Sequence, residues 1–463
     1  MSSIFSLSNI KSEFKCSMRL AVPLVASEVI YGLNSFIATI MVAHLGQEQL
    51  AANALVWSIY ISVIVFFIGI FCSVSVMSSQ SFGAKDQIGV SICFKQGLIM
   101  AIAFSLPMML IMWVIPVVLT WAKQDPAVIK CAKPFFYSLI WSILPFNIMI
   151  VIQQFLIGIT KTRLVMFMSI LAVPIEIFFY YTFIFGNFGL PKLELAGIGY
   201  GLTVSYFVLA MFFMGWLYFS KELRIHSLFK KWWVIEYKFL AEMIRIGLPL
   251  GLMYCSEVVF FAVVAIMMGM LGVTVLAAYQ ISYQYLMIAL VILFALNQNT
   301  AVRVGNEVGR NDRNKLRLTA AVNMMISFGF ILLFSIFYLF FPQVAIGLDI
   351  DASAVHFKDV AAEAMKFFPI VAVLLMTECI RLVGCGALRG LKDSHFQMML
   401  SVFGFWAIAF PSAYLLAFKF KFGGVGIWWG IVIGLFITGI LFLIRFNRLA
   451  KSVDLLSLVT KKE

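Results

Sequence analysis

Apolar runs of about 18 residues or more alternate with short polar segments along the whole chain. A membrane-crossing helix needs about 20 mostly apolar residues, whereas a strand of a membrane barrel alternates over about 10. Each run is therefore predicted to form a helix, which satisfies its own backbone hydrogen bonds inside hydrocarbon. The pattern predicts twelve spans, at 19–44, 53–78, 91–120, 134–158, 164–187, 196–219, 246–270, 275–300, 318–346, 360–387, 395–418 and 424–446.

The polar segments differ in their basic residues. With the N-terminus placed in the cytoplasm, most of the 34 Lys and Arg residues fall in the two terminal segments and the loops on that side. This positive-inside bias predicts a multi-pass protein with both termini cytoplasmic. Residues 1–19 lack an apolar signal-peptide region followed by a cleavage site, so we expect the first span to be retained.

Four segments follow from the spans. We expect an N-lobe at 1–219 with helices 1–6, a cytoplasmic linker at 220–245, a C-lobe at 246–446 with helices 7–12, and a cytoplasmic tail at 447–463. The linker places two Trp beside two Lys, which is typical of an amphipathic helix on the membrane surface.

Composition supports the membrane assignment. Of the 463 residues, 63% are hydrophobic and 12% are charged, whereas soluble chains have about half and a quarter. A soluble core stops growing near ~250–300 residues, so soluble enzymes, nucleic-acid binders and disordered scaffolds are excluded. The net charge of +13 is attributed to the cytoplasmic loops. The seven cysteines form no CxxC pair, so we expect neither a disulfide framework nor a metal site.

An internal repeat gives the strongest indication of function. RLAVPL at 19–24 resembles RIGLPL at 245–250, and the same offset aligns Gly83 with Gly309 and Asp86 with Asp312. The repeat contains six spans, so both halves enter the membrane with the same orientation. Such halves are related by an axis along the membrane normal, with a cavity between them. This architecture favours a transporter that works by alternating access.

Four carboxylates fall inside spans, where an acid costs ~2.5–3.5 kcal/mol. At 1.5 Å per residue, Glu257 and Glu378 lie roughly 18 and 16 Å from the nearest basic residue at the inner boundary, near the middle of the bilayer. Such an acid either stays ionised beside a cation or binds a proton, and both states respond to an ion gradient. We predict that Glu257 and Glu378 couple transport to a cation, with Glu28 and Glu176 as secondary acids. The alternative for each is a hydrogen bond that joins two helices.

Arg381 lies three residues after Glu378 and on the same helix face. If the two pair, Glu378 stays ionised and Glu257 becomes the main proton-binding group. Arg381 could instead extend toward the inner membrane surface. The sequence leaves both arrangements open.

Aromatic, Met and amide side chains surround these acids in the sequence. They bind lipophilic cations through dispersion and cation–π contacts, although ordinary helix packing is the alternative for each. The residues expected to line the substrate cavity are Tyr31, Asn34, Tyr254, Phe261, Gln280, Tyr283, Gln284 and Met287.

Several motifs carry a family resemblance. They are RLAVPL with MVAHLG, the run EVVFFAVVAIMMGMLGVTVLAAYQIS at 257–282, RVGNEVGRND at 303–312 and GALRGLKD at 386–393. Through them the whole chain resembles the multidrug and toxic compound extrusion (MATE) family, and within it the NorM-like bacterial branch. The resemblance implies an all-α membrane fold of twelve helices in two pseudo-symmetric six-helix lobes around a central cavity.

The resemblance also implies a function. Members are secondary antiporters of the bacterial cytoplasmic membrane that export lipophilic, mostly cationic compounds in exchange for H+ or Na+. A monomer without a cofactor or a bound nucleic acid is expected.

Two acids match the pattern of the NorM-like branch, namely a Glu in the seventh helix at Glu257 and an acid in the tenth at Glu378. The first-helix Asp of many members falls at Ala38, and the fifth-helix Asp of some archaeal members falls at Tyr180. A Tyr associated with Na+ in some relatives falls at Leu374, which favours H+.

Two other functions are weighed. A lipid-linked oligosaccharide flippase of related fold needs a basic cavity for pyrophosphate, but the spans hold four acids and one Arg. A membrane-embedded transferase needs convergent catalytic groups, yet His44, His226, His356 and His395 are scattered along the chain. We therefore expect a transporter and no enzymatic activity.

Overall fold

The computed structural model describes residues 6–121, 125–220, 228–229, 233–349 and 357–460. Within these ranges, twelve helices are long and apolar enough to cross a membrane, which confirms the predicted all-α membrane fold. They are α1 (Leu7–Ala43), α2 (Gln47–Gly83), α3 (Gln87–Trp121), α4 (Pro126–Gly158), α5 (Thr162–Phe185), α6 (Ala196–Phe219), α7 (Tyr237–Met270), α8 (Val273–Gly309), α9 (Arg313–Phe340), α10 (Phe357–Gly390), α11 (Ser394–Lys419) and α12 (Gly423–Ser452). Short helices lie at Pro342–Asp349 and Leu455–Leu458.

Several helices are longer than the predicted spans. α2 and α8 have 37 residues each, about 55 Å of helix, against a hydrocarbon core of about 30 Å. α7 begins at Tyr237, inside the segment 220–245 that was predicted to be a linker. Of that segment, 221–227 and 230–232 lie outside the described residues. Apolar runs mark only the part of a helix that crosses hydrocarbon, which is why polar extensions were not predicted.

The chain divides into two compact units. The C-unit contains 252–458 together with 1–25, and the N-unit contains 26–251 together with 459–463. The dividing points therefore fall inside α1 and α7, two residues after Pro23 and Pro249. These two prolines are equivalent in the internal repeat, so the division of the fold follows the repeat.

The two units share one packing pattern. In the N-unit, α4 packs against α2, α3 and α6, and in the C-unit α10 packs against the corresponding helices α8, α9 and α12. The contact of α8 with α10 is close, because a Cβ added at Gly386 would lie 2.5 Å from the carbonyl oxygen of Asn297. α10 is thus the central helix of the C-unit, and it carries both Glu378 and Arg381.

The repeat extends to the loops. Gly46 and Gly272, which precede α2 and α8, have φ angles of 128° and 126°, a region that glycine adopts without strain. Asp86 and Asp312 each accept an N–H three residues ahead through Oδ1, at 2.9 and 3.0 Å. These are the N-caps that a helix start favours, and they explain why both Asp residues recur in the sequence.

α11 departs from regular α-helix. It is π-helical at Phe403–Ala409 and again at Leu415–Lys419, with Pro411 between the two segments. Proline has no N–H and its ring clashes with the carbonyl one turn earlier, so a helix must widen or bend there. π-helical turns are rare and frequently lie at functional sites.

Candidate functional site

Two acids and one arginine meet inside the C-unit. Glu257 is on α7, while Glu378 and Arg381 are on α10. Arg381 donates from Nη2 to Glu257 Oε1 at 2.8 Å and from Nε to Glu378 Oε2 at 2.8 Å. A third contact joins Nη1 to Glu257 Oε2 at 3.4 Å. One guanidinium therefore bridges both carboxylates, and we call these three residues the triad.

The triad is buried, and it holds two carboxylates but only one guanidinium. Arg381 is fully buried, and Glu378 and Glu257 are 1% and 8% exposed. Two carboxylates share one guanidinium, so one formal negative charge remains. Oε1 of Glu378 is buried and finds no hydrogen-bond partner among the described residues. The arrangement can accept one small cation, because that cation would balance the charge and satisfy the free oxygen.

The bridge resolves the alternatives for Arg381. Arg381 pairs with Glu378, as the spacing of three residues allows. Its second partner, Glu257, is 124 residues away in the sequence and was not predicted to be paired. Because the Arg381–Glu378 pair lies within one helix, the contact with Glu257 is the part of the triad that joins α7 to α10.

Two aromatic residues of α11 border the triad. The Phe405 ring centroid lies 5.2 Å from Cζ of Arg381. The indole Nε1 of Trp406 donates to Oγ of Ser256 at 2.9 Å, directly beside Glu257. Sequence reasoning missed both residues, since aromatic side chains make up 16% of the chain and no motif distinguishes these two.

Part of the expected cavity lining gathers near the triad. Phe261 lies one turn after Glu257 on α7, and its ring centroid is 5.4 Å from that of Tyr283 on α8. The hydroxyl of Tyr254 accepts a hydrogen bond from Nη1 of Arg389 at 3.0 Å. Tyr254 is therefore tied to the arginine of the GALRG segment.

The remaining residues of α8 that were expected to line the cavity are more exposed. Gln280 and Gln284 are exposed and one turn apart, and Met287 is half-buried against the apolar core of the C-unit. Amides exposed on an otherwise apolar helix give this face a polar character.

A second acid site lies in the N-unit. Glu176 on α5 is 2% exposed, and its Oε2 accepts hydrogen bonds from Nδ2 of Asn34 and, at 3.3 Å, from the hydroxyl of Tyr180. Its Oε1 has no hydrogen-bond partner among the residues that the structure describes. Glu28 and Tyr31 are half-buried on α1, six and three residues before Asn34, so each lies next to the following one along the helix surface. Tyr180, at the position of an Asp in some members of the resembled family, holds a carboxylate that lies one turn earlier.

Within the described ranges, no group of three or more His, Cys, Asp or Glu side chains is arranged to hold a metal ion.

Comparison with known proteins identifies relatives that match most of this chain. The MatE family model matches residues 23–182 and 249–415. The probable multidrug resistance protein NorM of Rhizobium meliloti is 28% identical over 443 residues, which cover 96% of this chain and 95% of the relative. The protein of the same name from Pseudomonas aeruginosa is 30% identical over 423 residues, which cover 91% and 87%.

Solved structures agree in fold. A eukaryotic MATE transporter, AtDTX14, superposes with a TM-score of 0.83 at 19% identity and covers 96% of this chain and 98% of its own. An outward-facing multidrug resistance MATE family transporter superposes with a TM-score of 0.85 at 19% identity, covering 95% and 97%.

Proposed function

Since this chain belongs to the MATE family of membrane transporters, as a NorM-like member, we propose that it is a multidrug efflux antiporter. It exports lipophilic, mostly cationic compounds in exchange for an inbound cation by alternating access. The observation that carries the proposal is the triad, in which Arg381 bridges two buried carboxylates with one negative charge in excess.

The coupling step takes place at the contact between α7 and α10. When a cation neutralises Glu257, the attraction between this carboxylate and Arg381 is lost, while the pair of Arg381 with Glu378 remains. This weakens the connection between α7 and α10, which then depends on their remaining contacts, such as the hydrogen bond of Arg389 with Tyr254. The cation thus acts on the conformational equilibrium, and binding of the drug and of the cation become linked.

We propose H+ as the coupling ion, with Na+ as the second possibility. A proton needs a single oxygen, such as Oε2 of Glu257, whose contact with Nη1 of Arg381 is the longest of the three at 3.4 Å. A sodium ion needs several oxygen ligands, yet the bridging guanidinium occupies three of the four carboxylate oxygens of the triad. Leu374, one turn before Glu378, offers no oxygen from its side chain.

The acids of the N-unit take a secondary part in this proposal. Glu176 accepts hydrogen bonds from Asn34 and Tyr180. Glu28 lies six residues before Asn34 on the same helix and serves as a further acid.

The bound drug is proposed to contact aromatic, amide and Met side chains. Aromatic rings and thioethers give loose dispersion contacts, and a nearby acid attracts the cation. These side chains are Tyr31, Asn34, Tyr254, Phe261, Gln280, Tyr283, Gln284 and Met287.

We place the protein in the bacterial cytoplasmic membrane, as a monomer with both termini in the cytoplasm. The bias of Lys and Arg toward the two termini and the loops on their side supports this orientation.

The test is drug efflux from proteoliposomes under an imposed pH gradient or an imposed sodium gradient. Glu257→Gln is expected to abolish gradient-driven efflux, because the amide cannot carry the charge that the cation balances. Glu363→Gln is the matched control on α10, where Glu363 is paired with Lys366 near the helix start, and it is expected to export like the wild type. Full efflux by Glu257→Gln would refute the proposal, and flipping of a lipid-linked oligosaccharide would support the flippase instead.

A further inference from the structure

The guanidinium of Arg381 contacts two carboxylates and one aromatic ring. All of its N–H donors lie in the plane of the group, and those that contact Glu257 and Glu378 lie along its edge. Phe405 approaches at 5.2 Å from ring centroid to Cζ. At this distance the negative face of a ring attracts a cation, and more strongly when both groups are desolvated.

The backbone of α11 fixes where this ring lies. Phe405 is in the π-helical segment Phe403–Ala409, in which the N–H of Phe410 donates to the carbonyl of Phe405 five residues back. Next to it, a Cβ at Gly404 would lie 1.8 Å from Oγ1 of Thr438 on α12. A larger residue at 404 would require the Thr438 side chain to move, so the turn that carries Phe405 packs closely against α12.

The ring is fixed on the opposite side as well. Phe405 is fully buried, and its centroid lies 4.9 Å from that of Phe260 and 6.5 Å from that of Phe261. Both residues follow Glu257 on α7. Phe405 therefore contacts α7, which carries Glu257, and also Arg381, which bridges Glu257 to Glu378.

We propose that Phe405 is a positioning residue that holds Arg381 between Glu257 and Glu378 and thereby sets how readily the driving cation displaces the guanidinium. This inference rests on the proposed antiport at the triad and assigns a further residue to it. Phe405 acts through Arg381 and needs no contact with the cation or the drug.

Loss of the ring has a defined consequence. Without the contact with the ring, the guanidinium tilts toward one carboxylate and leaves the other less screened. The driving cation then binds that carboxylate more tightly and leaves it more slowly. The concentration of the driving cation at half-maximal efflux falls, and so does the maximal rate.

The experiment measures initial rates of efflux from proteoliposomes against the concentration of the driving cation. Phe405→Met is the main variant, because Met keeps an apolar side chain but lacks the negative electrostatic potential of a ring face. We expect its half-saturating cation concentration to fall about tenfold, as loss of a desolvated cation–π contact implies. The KM for the drug is expected to stay unchanged.

Two further variants separate positioning from packing. Phe405→Tyr keeps the ring and is expected to restore the wild-type half-saturation. Phe403→Met is the matched control in the same π-helical segment, where Phe403 is 53% exposed, and it is expected to behave like the wild type. If Phe405→Met does not fold, Phe405→Leu and Phe405→Tyr are compared in its place.

Two results would overturn the inference. One is a wild-type half-saturation in folded Phe405→Met, and the other is an equal shift in Phe405→Tyr. Both are distinct from failure of the proposed function, which would appear as full efflux by Glu257→Gln.

Discussion

Glu13 on α1 and Arg303 on α8 form a buried ion pair in the C-unit, although 290 residues separate them in the sequence. Nη2 of Arg303 donates to both carboxylate oxygens, at 2.8 and 2.6 Å, and Nε donates to Oε1 at 3.0 Å. At the repeat offset, the equivalent positions in the N-unit are Phe239 and Met77, which are 1% and 2% exposed. The two repeats therefore place apolar side chains at these positions in one unit and a charged pair in the other.

This difference predicts which substitutions the pair tolerates. Glu13→Gln leaves Arg303 buried without its main partner, and we expect the free energy of unfolding to fall by about 3–5 kcal/mol. The double variant Glu13→Phe with Arg303→Met copies the N-unit, and we expect it to be as stable as the wild type or more so. Chemical unfolding in detergent micelles measures both.

Lys15→Gln is the control for this prediction, because Lys15 is exposed on the same helix and a surface substitution costs less than about 0.5 kcal/mol. Glu307 also contacts Arg303 but keeps Arg310 at 2.8 Å in the double variant. Stability equal to wild type in Glu13→Gln would show that the pair contributes nothing.

Close packing of α8 on α10 gives a second prediction. Gly386→Ala would place a Cβ 2.5 Å from the carbonyl oxygen of Asn297, and overpacking of this kind costs about 1–3 kcal/mol. Because α10 carries two residues of the triad, efflux is expected to fall as well. Gly329→Ala on α9 is the control, since its Cβ meets nothing within 4 Å and Ala favours a helix over Gly by about 0.5–1 kcal/mol. A Gly386→Ala protein as stable as Gly329→Ala would contradict the prediction.

The apolar runs predicted the fold because a segment that crosses a membrane must satisfy its own backbone hydrogen bonds. Each apolar run had to become a helix, and the shared register of Gly83 with Gly309 and of Asp86 with Asp312 marked equivalent helix ends and caps. The polar extension of α7 back to Tyr237 was not predicted, because no hydrocarbon constrains it.

The candidate site was predicted only in its local part. Glu257 and Glu378 were found because acids in apolar runs are rare, and the spacing of Arg381 from Glu378 predicted one pair. The bridge from Arg381 to Glu257 depends on how two helices pack, which the sequence does not encode locally. The pairing of Glu13 was not predicted either, because Glu13 lies among charged residues that are typical of a polar terminus.

Thiol labelling tests the proposed orientation. Cys16 is exposed on α1 and Cys131 is partly exposed on α4, and the bias of basic residues places them on opposite sides of the membrane. In single-cysteine variants, a membrane-impermeant maleimide is expected to label Cys131 in spheroplasts and Cys16 only in inverted vesicles. The reversed pattern would invert the topology, and with it the direction of transport.

The N-unit acid gives the last prediction. Tyr180 donates to Oε2 of Glu176, and a hydrogen bond to a charged group contributes about 1.5–3 kcal/mol. Tyr180→Phe is therefore expected to lower stability by that amount if Glu176 is ionised and by about 0.5–1.5 kcal/mol if it is protonated. Unfolding of Tyr180→Phe in the wild-type and Glu176→Gln backgrounds measures the pair by a double-mutant cycle.

The same variants distinguish a secondary acid from a primary one. Glu176→Gln still accepts hydrogen bonds through its amide oxygen, so it is expected to fold and to lower efflux only in part. Glu257→Gln, measured beside it in the same proteoliposomes, is expected to abolish efflux. If Glu176→Gln is the inactive variant and Glu257→Gln is active, the driving cation binds in the N-unit, beside Asn34 and Tyr180.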